Sequence, residues 1–395
     1  MRRTSPRWVA ACTLAAAVLA GGCARFEGLR APELGQAERA QQQVVPARPA
    51  TPPFPVPVGV PGDEMVVSGP FRHENLAVFL IRNPDEKRTA RKVLTLEEAM
   101  AQKKVEVHET GEVQQLTIRN LDPDVDIFVQ SGDIVRGGKQ DRVLQKDLLL
   151  SAKAGHVPLE SFCVESGRWN YRSELGAPAS VVIGCGASPD ASFRWDRFVA
   201  SSNSLATNEL KRAVRVAKDQ REVWSEVAKV QNALAGKVAR RGLGDSSILN
   251  ASGSLELSLS DAMVRKAASA YEKALLEVGS GQAHVVGFAI TINGRLNSAE
   301  GYATSDLFSR LWPKLLKAAA IEAVAKKPEK AAAASPTSVD RVRDFLAIPA
   351  STQGFREDVD GRIRLVTADG ASKFFAETRD RDAGFAWVHR LSDAK

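Results

Sequence analysis

The stretch HVVGFAITINGRLNSAEGY, residues 284–302, constrains the fold more than any other part of the chain. Two strand-length runs flank Asn293-Gly294, a pair that supplies positive φ at both centres of a two-residue type I′ turn, so the runs form an antiparallel hairpin. Helical spacing flanks this hairpin on both sides. Upstream, LATNELKRAVRV places Leu210, Ala213 and Val214 on one face, and DQREVWSEVAKVQNAL repeats Val223, Trp224, Val227, Val230 and Leu234. SDAMVRKAASAYEKALLEV makes a third helix, capped by Ser260 or Asp261. Downstream, a long helix is predicted from about Thr304 to Ala325, kinked at Pro313, with Phe308, Leu311, Trp312, Leu315, Leu316 and Ala319 inward.

The first half is predominantly β. NLAVFLI from Asn75 is an apolar run of strand length, and VEVHE and VQQLTIRN alternate like exposed strands around a TGE turn. DVDIFVQSGDIV, RVLQKDLLLSA and HVPLESFCVES are further strands. Between them TLEEAMAQKK is a short helix, with Thr95 and Glu98 spaced as a capping box. The end, from Gly361, adds two or three strands that complete the sheet. The fold class expected is α+β: one domain over residues 70–391, several helices on a largely antiparallel sheet, with an exposed low-complexity loop near 327–338. Trp169, Trp195, Trp224 and Trp312 are expected as core anchors.

The N-terminus has a different character. MRRTSPR is a basic segment, and the apolar run Trp8–Leu19 is too short for a stable membrane-spanning helix, so residues 1–22 are expected to be a signal peptide. It ends in LAGGC, which resembles the bacterial lipobox, making Cys23 the expected lipidation site and the membrane a partner through its acyl chains. Ala24, rather than aspartate, follows that cysteine, which by resemblance to Gram-negative sorting rules implies the outer membrane, facing the periplasm. Seven prolines between Pro46 and Pro61 make residues 23–62 a semi-extended tether.

Charge and motif content narrow the function classes. The chain has 54 Lys and Arg against 47 Asp and Glu, and without Arg2, Arg3 and Arg7 of the leader the count is 51 against 47. That surplus is too mild for a nucleic-acid binder, and no nucleic-acid partner is expected. The five histidines are too dispersed for a zinc motif, so neither metal nor cofactor is implied. DPDVD, Asp122 to Asp126, lacks the Gly and distal Glu of an EF-hand loop and is read as a surface turn. GxSxG, SxxK and HExxH are absent. Cys163 and Cys185 remain in the exported body, where their default is a disulfide contributing about 3 kcal/mol.

The blocks SGDIVRGGKQDRVL, SFCVESGRWNYRS, DQREVWSEVAKV, GFAITINGRLNSAEGYATSDLFSRLWPKLLKAAAIEAV and AWVHRL follow one another in an order that resembles the ARG and rhodanese-phosphatase-superfamily-associated protein domain, where ARG stands for ADP-ribosylglycohydrolase. The resemblance implies a fold unit and carries no reaction with it.

Two motifs are candidate contacts for an anion. In GGKQDR, paired glycines let the backbone approach a ligand while Lys139 and Arg142 supply donors; the alternative is a β-connection whose charges pair with Asp133 and Asp141. No Walker loop is present, because a strand follows. In CVESGRW, Cys163 would be a nucleophile with Glu165 as base and Arg168 as anion clamp, set against a bridged or buried thiol. The basic residues Lys211, Arg212, Arg215 and Lys218 are read as a solvated helix face. The expected function is a cell-envelope binding or interaction module, with an envelope protein or an anionic small molecule as partner. The alternative is an enzyme or ligand-binding domain for a nucleotide-like or ADP-ribose-like anion, contacted by Gly138, Lys139, Gln140, Arg142, Glu165, Arg168 and Trp169.

Overall fold

The computed structural model describes residues 54–55, 65–86, 92–165, 198–216, 219–240, 253–329, 337–347, 353–382 and 387–395. The leader, Cys23, most of the tether, Arg168, Trp169, Cys185, Trp195 and Lys218 lie outside them. In chain order the described strands begin with β1 (Phe54–Pro55), β2 (Val66–His73), β3 (Leu76–Arg82) and β4 (Val93–Thr95). Helix α1 (Leu96–Ala101) precedes β5 (Val105–Glu109), β6 (Gln115–Asn120), β7 (Asp126–Val129) and β8 (Ile134–Gly137). Then come β9 (Arg142–Leu144), β10 (Leu148–Leu150), β11 (Val157–Cys163) and β12 (Phe198–Ser201). A helical stretch follows: α2 (Asn208–Val216), α3 (Gln220–Arg240), α4 (Leu255–Ser260) and α5 (Ala262–Gly279). The hairpin β13 (Val285–Ile292) and β14 (Arg295–Tyr302) leads to α6 (Ser305–Lys326) and α7 (Val339–Leu346). The last strands are β15 (Gln353–Asp358), β16 (Ile363–Asp369), β17 (Lys373–Asp380) and β18 (His389–Ala394).

The α+β class holds, but the strands divide over three sheets. The largest has the order β1-β15-β16-β17-β18-β14-β13-β3-β2, a second is β12-β8-β9-β11-β6-β5, and a third is β10-β7-β4. Pairing is antiparallel except between β4 and β7. RVLQKDLLLSA, expected as one strand, splits between two sheets as β9 and β10. The break falls at Asp147, whose carboxylate leaves the ladder to accept the Ser131 N–H at 2.7 Å and to meet His389 at 2.8 Å.

The local signals read from the sequence are in place. Asn293 and Gly294 have φ of 54° and 74°, so the hairpin turns as the pair dictates. Thr95 Oγ1 accepts the Glu98 N–H while Glu98 Oε2 accepts the Thr95 N–H, closing the capping box of α1. Asp261 caps α5 by accepting the N–H groups of Met263 and Val264. The short α4, which carries no helical period of its own, is started by Ser254.

Period-two alternation sets the layers. On β3, Leu76, Val78 and Leu80 join the main core with α5 and α6, whereas Ala77 and Phe79 face the opposite side with Val342 and Phe345 of α7. On β13, Phe288, Ile290 and Ile292 go to the first side and Ala289 to the second. Helices therefore cover this part of the large sheet on both faces, which is why β13 is buried throughout. The six inward residues expected on α6 are all buried, with Trp312 at 0% exposure and Pro313 within the helix. A second core lies between the smaller sheets, formed by residues such as Val107, Leu116, Ile118, Val129 and Leu144.

Candidate functional site

Where α2 crosses the ends of β14 and β18, beside the last turn of α6, the surface opens into a cleft of about 570 Å3. That size falls within the range of small-molecule pockets. Its polar lining comes from Asn208, Glu209 and Arg212 of α2, Asn293 of the hairpin turn, Arg295 and Asn297 of β14, Lys326 of α6, Asp393 of β18 and Lys395. Sequence places these groups on one wall because α2 buries Leu210 and Val214, which turns Arg212 away from the core. The tight Asn293-Gly294 turn likewise delivers Arg295 to the rim, where it is exposed.

The charges of this wall are unequally neutralised. Lys326 is ion-paired with Glu209 and with Glu322, the latter at 2.8 Å, and Lys395 meets Asp369 at 2.7 Å. Burial alone would lower the Lys326 pKa, but the two carboxylates override it and hold the ammonium charged. Arg212 donates from Nη1 to the Ala394 carbonyl at 3.0 Å and, among the described residues, to no carboxylate. Among the described residues, Arg295 has no side-chain partner. Two guanidinium groups thus line the cleft without an ion pair among the described residues, whereas the cleft's carboxylates, Glu209 and Asp393, are turned to Lys326 and Arg215. A planar guanidinium offers paired donors to a carboxylate or a phosphate, so this wall suits an anion.

Behind the wall lies an enclosed polar network. Lys211 of α2 pairs with Glu300 of β14, and both are almost fully buried. Glu300 also accepts from Gln130 Nε2 and Tyr302 OH, each at 2.8 Å. His389 lies between Asp147 (2.8 Å) and Glu300 (3.4 Å) and stacks on the Tyr302 ring at 4.8 Å. Burial works against charge on His389, yet the flanking carboxylates raise its pKa to about 9, so the imidazolium persists at neutral pH. Arg215 Nη1 donates to Asp393 Oδ2 at 2.9 Å, and its Nε to Ser131 Oγ at 3.2 Å. Burial pushes the Asp393 carboxyl up to about 6 against the pull of Arg215 and Lys211. The network joins α2, β14 and β18 and thereby fixes the inner wall of the cleft. The basic face of α2 is accordingly not a solvated surface: Lys211 and Arg215 are consumed internally, because their stems sit over buried carboxylates from β14 and β18.

A profile of the ARG and rhodanese-phosphatase-superfamily-associated protein domain matches residues 64–388, a span that takes in every described helix and every described strand except β1 and β18. The chain belongs to this family. No curated protein and no solved structure matches it. The GGKQDR motif at β8–β9 and the described part of CVESGRW, Cys163 to Glu165 at the end of β11, adjoin each other in the fold, and neither lines the cleft.

The structure brings Gln140, Arg142, Cys163 and Glu165 together. Arg142 is fully buried; its Nη2 pairs with Glu109 at 3.2 Å, and its Nη1 contacts Cys163 Sγ and Gln140 Oε1. The counter-charge of Arg142 is therefore Glu109 of β5, whereas Asp133 pairs with Lys314 at 2.6 Å and Asp141 Oδ1 accepts the Gly137 N–H at 3.1 Å. A Cβ on Gly138 would come within 2.5 Å of Glu109 Oε1 and 2.7 Å of the Phe198 ring, so its glycine serves close packing by these side chains. The Lys139 N–H donates to Glu109 Oε1 at 2.8 Å. The Asp141 N–H donates to Glu165 Oε2 at 3.4 Å. Burial pushes the Cys163 thiol up to about 11, and its backbone is clamped by Gln220 through reciprocal bonds of 2.8 and 2.7 Å. At neutral pH it is a protonated thiol, not an activated nucleophile. Asp122 builds a local turn by accepting from the N–H groups of Asp124 and Val125, and Asp126 is drawn inward to Arg362. Among the described residues no cluster of His, Cys, Asp and Glu could hold a metal ion.

Proposed function

We propose that this chain is an exported, lipid-anchored envelope protein that binds an anionic small molecule in the cleft between α2, β14 and β18. The observation that carries the ligand class is the pair of guanidinium groups, Arg212 and Arg295, lining a cleft of about 570 Å3 with no carboxylate partner among the described residues. Export and anchoring rest on the basic and apolar leader, the LAGGC sequence at Cys23 and the proline-rich tether. The fully buried Arg142, spent on Glu109, supports the cleft as the binding site over the GGKQDR loop. Inorganic phosphate and glucuronate should both raise the melting temperature of the protein, since a ligand at 100 times its Kd adds about 2.7 kcal/mol to stability. The Arg212→Ala, Arg295→Ala double variant should melt near the wild-type temperature and lose the shift; an undiminished shift would sink the assignment. Intact mass of the envelope-extracted protein should show acyl chains on Cys23 that Cys23→Ser lacks.

A further inference from the structure

Beneath the two arginines the cleft presents acceptors rather than more donors. Asp393, 2% exposed, gives its Oδ2 to Arg215 while its Oδ1 is buried with no hydrogen-bond partner. Asn208 donates through Nδ2 to Asn297 Oδ1 at 2.6 Å, and among the described residues its own Oδ1 receives nothing. Asn297 is turned so that its Nδ2 donates to Glu322 at 2.7 Å. A buried carboxylate oxygen without a donor is unfavourable, and a ligand that brings one relieves it. Sulfate and the methyl phosphate dianion, which carry no hydroxyl, offer nothing to such a floor.

We infer that the ligand is a hydroxylated anion of sugar-phosphate or uronate type, its charged group on Arg212 and Arg295 and its hydroxyls donating to Asn208 Oδ1 and Asp393 Oδ1. This rests on the cleft being the anion site. Asn208 and Asp393 both line the cleft, so the unpartnered carboxylate oxygen lies directly behind its inner wall. In Asp393→Asn the amide oxygen stays on Arg215 and the NH2 takes the place of the unpartnered oxygen, so the hydroxyl loses its charged acceptor and can meet the side chain only through its own lone pairs, in a weaker neutral bond.

Calorimetric titration of the full chain with methyl phosphate, glucose 6-phosphate and glucuronate separates the possibilities. Glucose 6-phosphate should bind at least about tenfold more tightly than methyl phosphate, the worth of one hydrogen bond to a charged acceptor. Asp393→Asn should erase most of that difference and leave methyl phosphate binding in place, which also reports that the variant is folded. Asn208→Ala, which leaves the His389 network untouched, should do the same to a smaller degree. Tighter binding of glucuronate than of glucose 6-phosphate would assign the anion as a carboxylate, and the reverse as a phosphate; either supports the inference. Equal affinity for methyl phosphate and glucose 6-phosphate, both lost in the double arginine variant, would overturn this inference and leave the anion site standing. No binding of any of the three, or binding that ignores the arginines, would remove the anion site itself.

Discussion

Two buried acids bind their protons more tightly in the folded protein than in the unfolded chain, which fixes the sign of the pH dependence. His389 rises from an ordinary 6.5 to about 9, and Asp393 from 3.8 to about 6. A raised folded pKa means that the native state holds more protons, so stability falls as pH rises through each window. The His389 contribution is complete below pH 6.5 and is lost by about pH 9, an effect on the order of 3 kcal/mol. Urea unfolding at pH 6, 7.5 and 9 should show that decline in the wild type and a flattened profile in His389→Gln; an unchanged slope would point to a different proton-binding group. Asp393→Asn should flatten the earlier window, between about pH 4 and pH 6. Neither group was legible as special in the sequence. His389 stands alone in AWVHRL, and its partners Asp147 and Glu300 are 242 and 89 residues away, so no local spacing signals the triplet.

At the scale of elements, close approach between helices and strands sets narrow tolerances. Gly279 ends α5 against Trp312 of α6, where a Cβ would stand 2.5 Å from the indole ring. Gly279→Ala should therefore cost about 1 to 3 kcal/mol by overpacking, read as a lower urea midpoint at unchanged slope. Thr95→Ala removes one half of the α1 capping box and should cost about 1 kcal/mol in the same assay. Elements with a local signature were readable: the Asn293-Gly294 turn, the Thr95 box, and the apolar face of α6 all follow from residues within a few positions of one another. α4, although its Ser254 cap is local, is a six-residue helix too short to show a helical period; the β9/β10 break was not readable because Asp147 acts on Ser131 and His389, remote in the chain. The charged face of α2 misleads for the same reason. Helical spacing shows that Lys211, Arg212 and Arg215 share a surface, but only the position of β14 and β18 decides that two of them are buried and the third faces a cleft.

Across the whole molecule, Arg362 ties two sheets together. Its guanidinium donates to both oxygens of Asp380 on β17 at 2.9 Å, to Asp126 at the start of β7 at 3.0 Å, and to Ser151 at 2.8 Å. Arg362→Met would leave two buried carboxylates uncompensated and should cost about 3 to 5 kcal/mol. Because the main core draws continuously on residues from β3, β7, β9, β13 and five of the helices, thermal unfolding should remain one transition in wild type and variant alike, with the midpoint lowered in the variant. A calorimetric trace resolving two transitions would show the smaller sheets to be a separate folding unit. The sequence by itself determined the α+β class, the family, the hairpin and most of the helices, because periodicity, caps and turn residues act over a few positions. Only the tertiary structure decided where charge is left over. Arg142, central to a motif that suggested a ligand, finds Glu109 within the six-stranded sheet and is spent there, while Arg212 and Arg295, 83 positions apart and unremarkable in sequence, line one cleft and among the described residues form no ion pair. Neutralisation depends on distances of a few ångströms between elements remote in the chain, and only the packing of those elements sets them.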